Sequence, residues 1–368
     1  MTQNPPRQCD EGPWSALMSS SIALIKREQH SSGAYPACPT YPTYRYCWLR
    51  DGSFIADAMS RVGEVSSAEA FFCWCARVLL ARAERIRDLA SDSAIARPGS
   101  ASGFLPTRYE LDGSESVVPW SNFQVDGYGT WLRVLVDHCA RHRRSIRQYS
   151  EALNLTVDYL TAVGTMPCYD WWEEFPDQRH TSTLAAVGSG LKAALASGVL
   201  TDTRRGVALT TTEEIDRLIT QDARVHGRLN KWLGGNAVDA SLLACLTSYR
   251  TLPLNDPIAD ATAAAIRGSL LREGVYRYVG DTFYGGGEWI ILTAWLGWYE
   301  ALRGDMTSAR RRLAWITSHA EDGLLPEQVT DHAQRPQYVA EWERKWGKVA
   351  NPLLWSHGMF LILATECW

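Results

Sequence analysis

The chain has 368 residues, with Lys+Arg 37 against Asp+Glu 41 and a formal net charge of −4. That length holds one large domain or two ordinary ones, with a core ample enough to need no disulfide staples. At 46% hydrophobic and 21% charged residues it is neither disordered nor fibrous, and its near-neutral balance argues against nucleic acid or an anionic membrane held by bulk charge.

From the N-terminus on, helical periodicity dominates. The opening MTQNPPRQCDEG lacks the apolar h-region of a signal peptide, which argues against export. Residues 14–28 then place Leu17, Ile22, Leu24 and Ile25 at helical spacing. A second helix is expected at 52–63, and a long one at 67–89 whose Arg77, Arg82 and Arg85 keep one face wet. Similar stretches follow at 127–143, 146–163, 181–197, 212–229, 237–250, 257–272, 288–303, 306–320 and 354–367, about twelve in all. Cap signals support three starts: Thr211-Thr212-Glu213-Glu214, Asp256-Pro257 and Asp305-Met306. Strand-like alternation is scarce, and the piece at 276–283 is the one tempting hairpin arm. All apolar runs are broken by Arg, Glu or Asp short of the roughly 18 residues of a membrane span.

Long Gly-, Pro- and aromatic-rich loops recur at 31–51, 91–126, 164–180, 273–287 and 322–353. Unstructured loops beyond about 15 residues are uncommon unless functional. Helices taken two at a time, with a long loop after each pair, predict an all-α (α/α)6 barrel over 1–368, a single catalytic domain whose loops at one end build the active site. An open superhelix of helix pairs would show short loops and a regular period.

Two residue types add chemistry. The chain carries 16 Trp and 15 Tyr but 8 Phe. A flat apolar face with a polar tip suits a pyranose ring, although a Trp-rich core would give the same count. The nine Cys include no CxxC pair, so the expected state is reduced thiols in a cytoplasm.

Four loop strings carry candidate reacting groups. In Tyr169-Asp170-Trp171-Trp172-Glu173-Glu174, two carboxyls lie among tryptophans, and an aromatic pocket raises a carboxyl pKa as a general acid requires. The bland alternative is a charged, solvated loop. In Leu324-Leu325-Pro326-Glu327-Gln328-Val329, a lone Glu in an apolar loop is costly to bury unless paired or functional. Glycoside hydrolysis with inversion uses two carboxyls roughly 6.5–9.5 Å apart, one protonating the leaving oxygen and one activating a water. In Tyr44-Arg45-Tyr46-Cys47-Trp48-Leu49-Arg50-Asp51, an Arg-Asp pair can bind vicinal hydroxyls. Its alternative is a surface ion pair in which Asp51 caps a helix opening at Gly52. The fourth runs from Arg277 through Asp281 to Gly285-Gly286-Gly287-Glu288-Trp289; its glycines lack the context of a phosphate loop.

These strings, in this order among these helices, resemble glycoside hydrolase family 15, the glucoamylase family. Its general acid follows Trp in a WEE string, matched by Trp172-Glu173-Glu174, and its general base stands in an EQ string, matched by Glu327-Gln328. A Trp-Ser pair follows that base in the family, here Trp355-Ser356 after a longer spacer. The YxWxRD string matches Tyr46, Trp48, Arg50 and Asp51, and WxxxQxDG matches Trp120, Gln124, Asp126 and Gly127. RYxxD…GxxW matches Arg277, Asp281 and Trp289, and Val238-Asp239-Ala240-Ser241 is similar to a further family segment. The resemblance implies an (α/α)6 barrel and an inverting exo-α-glucosidase with Glu173 as acid and Glu327 as base. It also implies that Arg50 and Asp51 hold distal hydroxyls, that Arg277 grips a nearer one, and that Glu174 sits at the second sugar or the 2-hydroxyl. Tyr44, Trp48, Trp120 and Trp172 would wall a dead-end pocket, with Asp126, Trp289 and Trp355 completing the binding set. No metal or organic cofactor is expected, and the implied partners are small glucosides.

The chain departs from the family in several places. The strings span Tyr44 to Trp355, leaving no room for the β-sandwich or starch-binding modules many relatives carry, so short soluble oligosaccharides are the expected substrates. Asn122 and Trp171 replace family residues where the second sugar should bind, which points to α-1,6-linked glucose, with isomaltose as substrate. An α-1,4 glucoamylase or a trehalase of the same family are the near alternatives. A polysaccharide lyase, or a non-catalytic sugar-binding protein, is more distant. His138 and His142 stand at i, i+4 as a metal pair would, but Arg141, Arg143 and Arg144 beside them disfavour a cation.

Overall fold

The computed structural model describes residues 14–91 and 103–368. In chain order these form α1 (Ser15–Glu28), β1 (Cys47–Trp48), α2 (Leu49–Arg61), α3 (Val65–Leu80), α4 (Ala83–Ser91), β2 (Arg108–Tyr109), α5 (Asp126–His142), α6 (Ser150–Val163), α7 (Thr181–Ala196) and α8 (Asp202–Gln221). There follow α9 (Leu242–Leu246), α10 (Pro257–Leu270), β3 (Val275–Tyr276), β4 (Glu288–Trp289), α11 (Ile290–Leu302), α12 (Met306–Ser318), β5 (Gln328–Val329), α13 (Val339–Trp346) and α14 (Leu354–Glu366).

Six helices make an inner ring: α2, α5, α7, α9, α11 and α14 each pack on the next, and α14 closes on α2. Around them stand α1, α3, α6, α8, α10 and α12, which is the (α/α)6 barrel. The inner helices are buried on most sides, as doubly covered helices must be, and the last two are also almost wholly apolar. Helix α11 buries every residue from Ile290 to Glu300, and α14 every residue from Leu354 to Ala364. Helices α5 and α7 meet through small residues: a Cβ on Gly129 would stand 2.4 Å from the Ala186 carbonyl oxygen, and one on Gly190 2.4 Å from that of Gly129. No helix among the described residues is long and apolar enough to cross a membrane.

Several expected boundaries move, each for a local reason. The stretch at 67–89 is two helices, because the chain turns at Ala81-Arg82. There the Arg82 guanidinium takes the Val78 carbonyl at 2.8 Å, the Gly113 carbonyl at 3.0 Å and Glu115 at 2.7 Å. The signal at Thr211 lies inside α8, which is capped ten residues earlier by Thr201. Thr210, Thr211 and Thr212 return their hydroxyls to carbonyls four residues back, which satisfies them mid-helix. Asp256 and Asp305 do cap, accepting from Ile258 N–H and Ser308 N–H. The stretch at 237–250 shrinks to α9 because Asp239 folds back to accept from Ser241 N–H. Of the hairpin arm at 276–283, Val275–Tyr276 pairs with Glu288–Trp289, and that strand pairs in turn with Gln328–Val329.

The inner helices all present their N-terminal ends to one mouth of the barrel. Arg50 and Asp51 lie in the first turn of α2, Asp126 opens α5, Trp289 precedes α11, and Trp355 is the second residue of α14. The two small sheets stand at this same end, pairing Trp48 with Arg108 and Trp289 with Gln328.

Candidate active site

A cavity of about 570 Å3 opens between these helix ends. It is lined by Tyr44, Trp48, Arg50, Asp51, Trp120, Trp172, Glu173, Glu174, Arg277, Trp289, Glu327 and Trp355, so every expected site residue except Asp126 reaches it. Eight of the 16 tryptophans are in its wall. The excess of Trp thus serves wall and core together. Below the cavity Phe54, Trp171, Tyr249, Trp295 and Trp355 pack together with ring centroids 5.0–6.4 Å apart, closing the barrel as a floor.

Arg50 and Asp51 stand on that floor. Both are buried, at 4% and 7% exposure, so they are not a surface ion pair, and Asp51 lies inside the first turn of α2 instead of capping it. The Arg50 Nη1 donates to Asp126 Oδ2 at 2.9 Å and to Gln124 Oε1 at 3.0 Å, while Nη2 donates to the Trp171 carbonyl at 3.2 Å. Asp126 therefore stands behind the wall and holds Arg50. The Arg50 Nε is buried without a hydrogen bond among the described residues and lies 3.8 Å from Asp51 Oδ2. Burial pushes the Asp51 carboxyl up to about 7, against the pull of Arg50 and with a further push from Glu173. Across the cavity Arg277 is gripped by both oxygens of Asp281 at 2.6 and 2.5 Å, and it lies 5.1–5.4 Å from the ring centres of Trp172, Tyr278, Phe283 and Trp289.

Glu173 sits in a tight turn at φ 67°, a left-handed conformation costly for a side chain with a Cβ. The turn is held by Asp170, whose Oδ1 accepts from Trp172 N–H and Glu174 N–H, both at 2.9 Å. Behind it Lys231 bridges Asp170 at 3.1 Å and Asp239 at 3.0 Å, and Asp239 also accepts from the Trp172 indole. Burial works to raise Asp239, but Lys231 and the Ser241 donors outweigh it and hold the carboxyl below its usual range. The Glu173 Oε1 accepts from Trp48 Nε1 at 3.0 Å and Gln124 Nε2 at 3.2 Å. Its Oε2 has no protein partner among the described residues. Aromatic burial alone, the expectation for this carboxyl, misses those two donors. Glu174 takes the Tyr278 hydroxyl at 2.7 Å; burial raises it, while Arg277 and Tyr278 oppose.

Glu327 precedes β5 and is fixed through its backbone. Its N–H donates to the Ala350 carbonyl at 2.9 Å, and its carbonyl accepts from Ile290 at 3.3 Å. Its side chain is 4% exposed, and Oε2 is buried without a partner. Burial pushes this carboxyl up to about 8, although Arg277 and the Tyr44 hydroxyl pull it down.

Other residues of the site were not singled out from the sequence. Lys231 lies in a Trp- and Gly-rich loop, where a lone Lys was the available signal. Arg108 stands under Trp120, Tyr46 and Trp48 at 3.6, 4.0 and 5.2 Å. Trp342 and Trp346 reach the cavity from α13, a helix inside the expected loop 322–353. Asn122 does not line the cavity, and Trp171 belongs to its floor, so neither stands where the linkage argument placed it. The His138–His142 pair is occupied elsewhere: Nδ1 of His138 and Nε2 of His142 both meet Ser60 Oγ, at 2.9 and 3.0 Å, and burial lowers His138 to about 4.

With two carboxyls in the aromatic mouth of an (α/α)6 barrel, the comparisons are unambiguous about kinship. The chain matches Glycosyl hydrolases family 15 over residues 13–304 and belongs to that family, and it is a glycoside hydrolase. It is 46% identical to the isomaltose glucohydrolase of Kribbella flavida over 95% of this chain and 92% of that one. Among solved structures, a wild-type glycosidase superposes with a TM-score of 0.92 at 45% identity, covering 96% of both chains. A bacterial glucoamylase complexed with acarbose shares the fold at a TM-score of 0.73 and 18% identity, over 96% of this chain and 55% of that one.

Proposed function

We propose that this hydrolase removes β-glucose, with inversion, from the non-reducing end of short α-glucosides, preferring α-1,6-linked isomaltose. The observation that carries the reading is the pair of carboxyls on one closed-floored cavity, each with a free oxygen. Glu173 uses its unpartnered Oε2 to protonate the glycosidic oxygen as the C1–O bond breaks. Glu327 takes a proton from the water that forms the new C1–O bond on the other face, so the product is the β-anomer. Arg50 and Asp51 take the distal hydroxyls of the first glucose and Arg277 a nearer one, while Tyr44, Trp48, Trp120, Trp172, Trp289 and Trp355 wall it. Asp126 acts through Arg50.

The α-1,6 preference rests on the likeness to the isomaltose enzyme, now that Asn122 and Trp171 no longer argue for it. A lyase for acidic sugars is disfavoured because Arg50 and Arg277 are already neutralised by Asp126 and Asp281. The reading includes one catalytic unit over 1–368 working in the cytoplasm; the eight cysteines of the described residues are all free thiols, as a reducing compartment keeps them. The test is proton NMR of the earliest products from isomaltose, maltose and trehalose supplied separately. The expected result is β-glucose from isomaltose first. Equal or faster release from maltose or trehalose overturns the linkage, and α-glucose as first product overturns the inverting mechanism.

A further inference from the structure

The longer spacer between Glu327 and Trp355 has a shape and a place. It carries α13, of which no residue is fully buried, and whose more enclosed residues include Trp342 and Trp346, one helical turn apart. Both face the cavity. Trp346 packs on Trp120 with ring centroids 5.9 Å apart, and Trp342 packs on Phe283 at 5.0 Å and Tyr284 at 6.2 Å. Glu341, Glu343 and Arg344 are exposed, while the Lys345 ammonium lies over the Trp342 and Trp346 rings at 4.7 and 5.6 Å.

The helix is strapped at both ends. Before it, Gln334 N–H and Arg335 N–H donate to the carbonyls of Gly286 and Gly285 at 3.2 and 2.8 Å. After it, the Gly347 carbonyl accepts from the Tyr284 hydroxyl at 2.7 Å, and that hydroxyl also meets Tyr41 at 2.9 Å. Such a segment is a fixed roof, not a mobile gate.

Its position relative to the reacting groups follows a line of contacts. Trp48 donates to Glu173 and packs on Trp120 at 5.9 Å, and Trp120 packs on Trp346. Arg50 lies off this line, over the Trp171 and Trp355 rings at 5.8 and 5.7 Å. The acid serves the leaving oxygen, so the line runs along the leaving group. We propose that Trp346, with Trp342 behind it, is the platform for the second sugar, and that the α13 roof confines the substrate to about two sugar units. Indole faces hold the CH face of a pyranose without fixing its hydroxyls. A cavity of about 570 Å3 is of the size that encloses one small ligand, and a third unit must pass the roof.

The inference rests on the glucosidase reading, and the experiment separates the two. Wild type, Trp346→Ala, Trp342→Ala and Trp346→Phe are assayed on isomaltose, isomaltotriose and α-glucosyl fluoride, whose leaving group is not a sugar. Removing the Trp346 indole is expected to lower kcat/KM for isomaltose about 10-fold, chiefly through KM, with a several-fold smaller loss on the fluoride. Trp346→Phe restores most of the loss, and the isomaltotriose-to-isomaltose ratio rises in both alanine variants. Equal losses on disaccharide and fluoride, or an unchanged trisaccharide ratio, overturn the inference while leaving the glucosidase reading intact. A misfolded alanine variant is recognised by a lowered melting temperature, and Trp346→Phe then decides: a small residual KM increase confined to isomaltose supports the platform, and an equal change on the fluoride overturns it. A wild type that cleaves none of the three overturns both.

Discussion

Of the carboxyls that face the cavity, the two assigned as acid and base are built in opposite ways. Around Glu173 the polar groups are tied off: Asp170 takes two backbone donors, Lys231 joins Asp170 to Asp239, and two N–H groups converge on Glu173 Oε1. Around Glu327 the backbone is pinned, yet the carboxyl is buried with a bare oxygen. A buried polar group without a partner costs stability, and such groups persist where a ligand or water completes them. The difference follows from what each carboxyl does. A proton donor must be aimed, so its frame is satisfied, whereas a base must hold a water that the protein does not replace.

The largest test of that division is chemical. Glu173→Gln and Glu327→Gln should each lower kcat on isomaltose by about 10²–10⁴-fold, the usual worth of a positioned acid or base. On α-glucosyl fluoride the two should part. Fluoride leaves without a proton, so Glu173→Gln keeps much of its turnover, while Glu327→Gln stays impaired because water still has to be activated. Equal recovery of both variants breaks the assignment.

The next test is mechanical. Lys231→Met removes the cation between two buried carboxylates, and leaving such charges unpaired costs about 3–5 kcal/mol. Denaturant unfolding should show that loss. Since Asp170 then no longer anchors the turn, kcat should fall with it. A variant as stable as wild type would mean that the bridge does not frame the acid.

Legibility from sequence followed this same contrast. The strings holding Arg50, Asp51, Glu173 and Arg277 were readable because each sets a charge among aromatics, and that of Glu327 because it sets a lone charge in an apolar loop. Periodicity found the inner helices, whose apolar faces are unmistakable. It failed where a side chain far off in sequence decides the backbone: Arg82 breaking α3 from α4 by binding Gly113, or Asp239 shortening α9 to serve Lys231 and Trp172. Helix α13 escaped because it buries little and is held by straps to Gly285, Gly286 and Tyr284. Lys231 and Arg108 are single cations whose partners lie on other loops, and spacing along the chain does not reveal them.

The smallest test concerns proton balance. The folded protein holds Glu327 at about 8 and Asp51 at about 7, well above ordinary carboxyl values. Between the ordinary values and these, the native chain binds protons that the unfolded chain has released. The contribution of these two carboxyls to stability then falls as pH rises across that window, by at most about 1.4 kcal/mol per pH unit for each proton, and it levels off above the raised values. Glu327→Gln cannot ionise, so its melting temperature should decline less than that of wild type between about pH 5 and pH 8. Turnover depends on both carboxyls, because Glu327 must be ionised while Glu173 is protonated, so kcat/KM should trace a bell in pH. If the wild type and Glu327→Gln melting curves keep the same slope, the Glu327 carboxyl is ionised throughout, and its burial is not what sets the base apart from the acid.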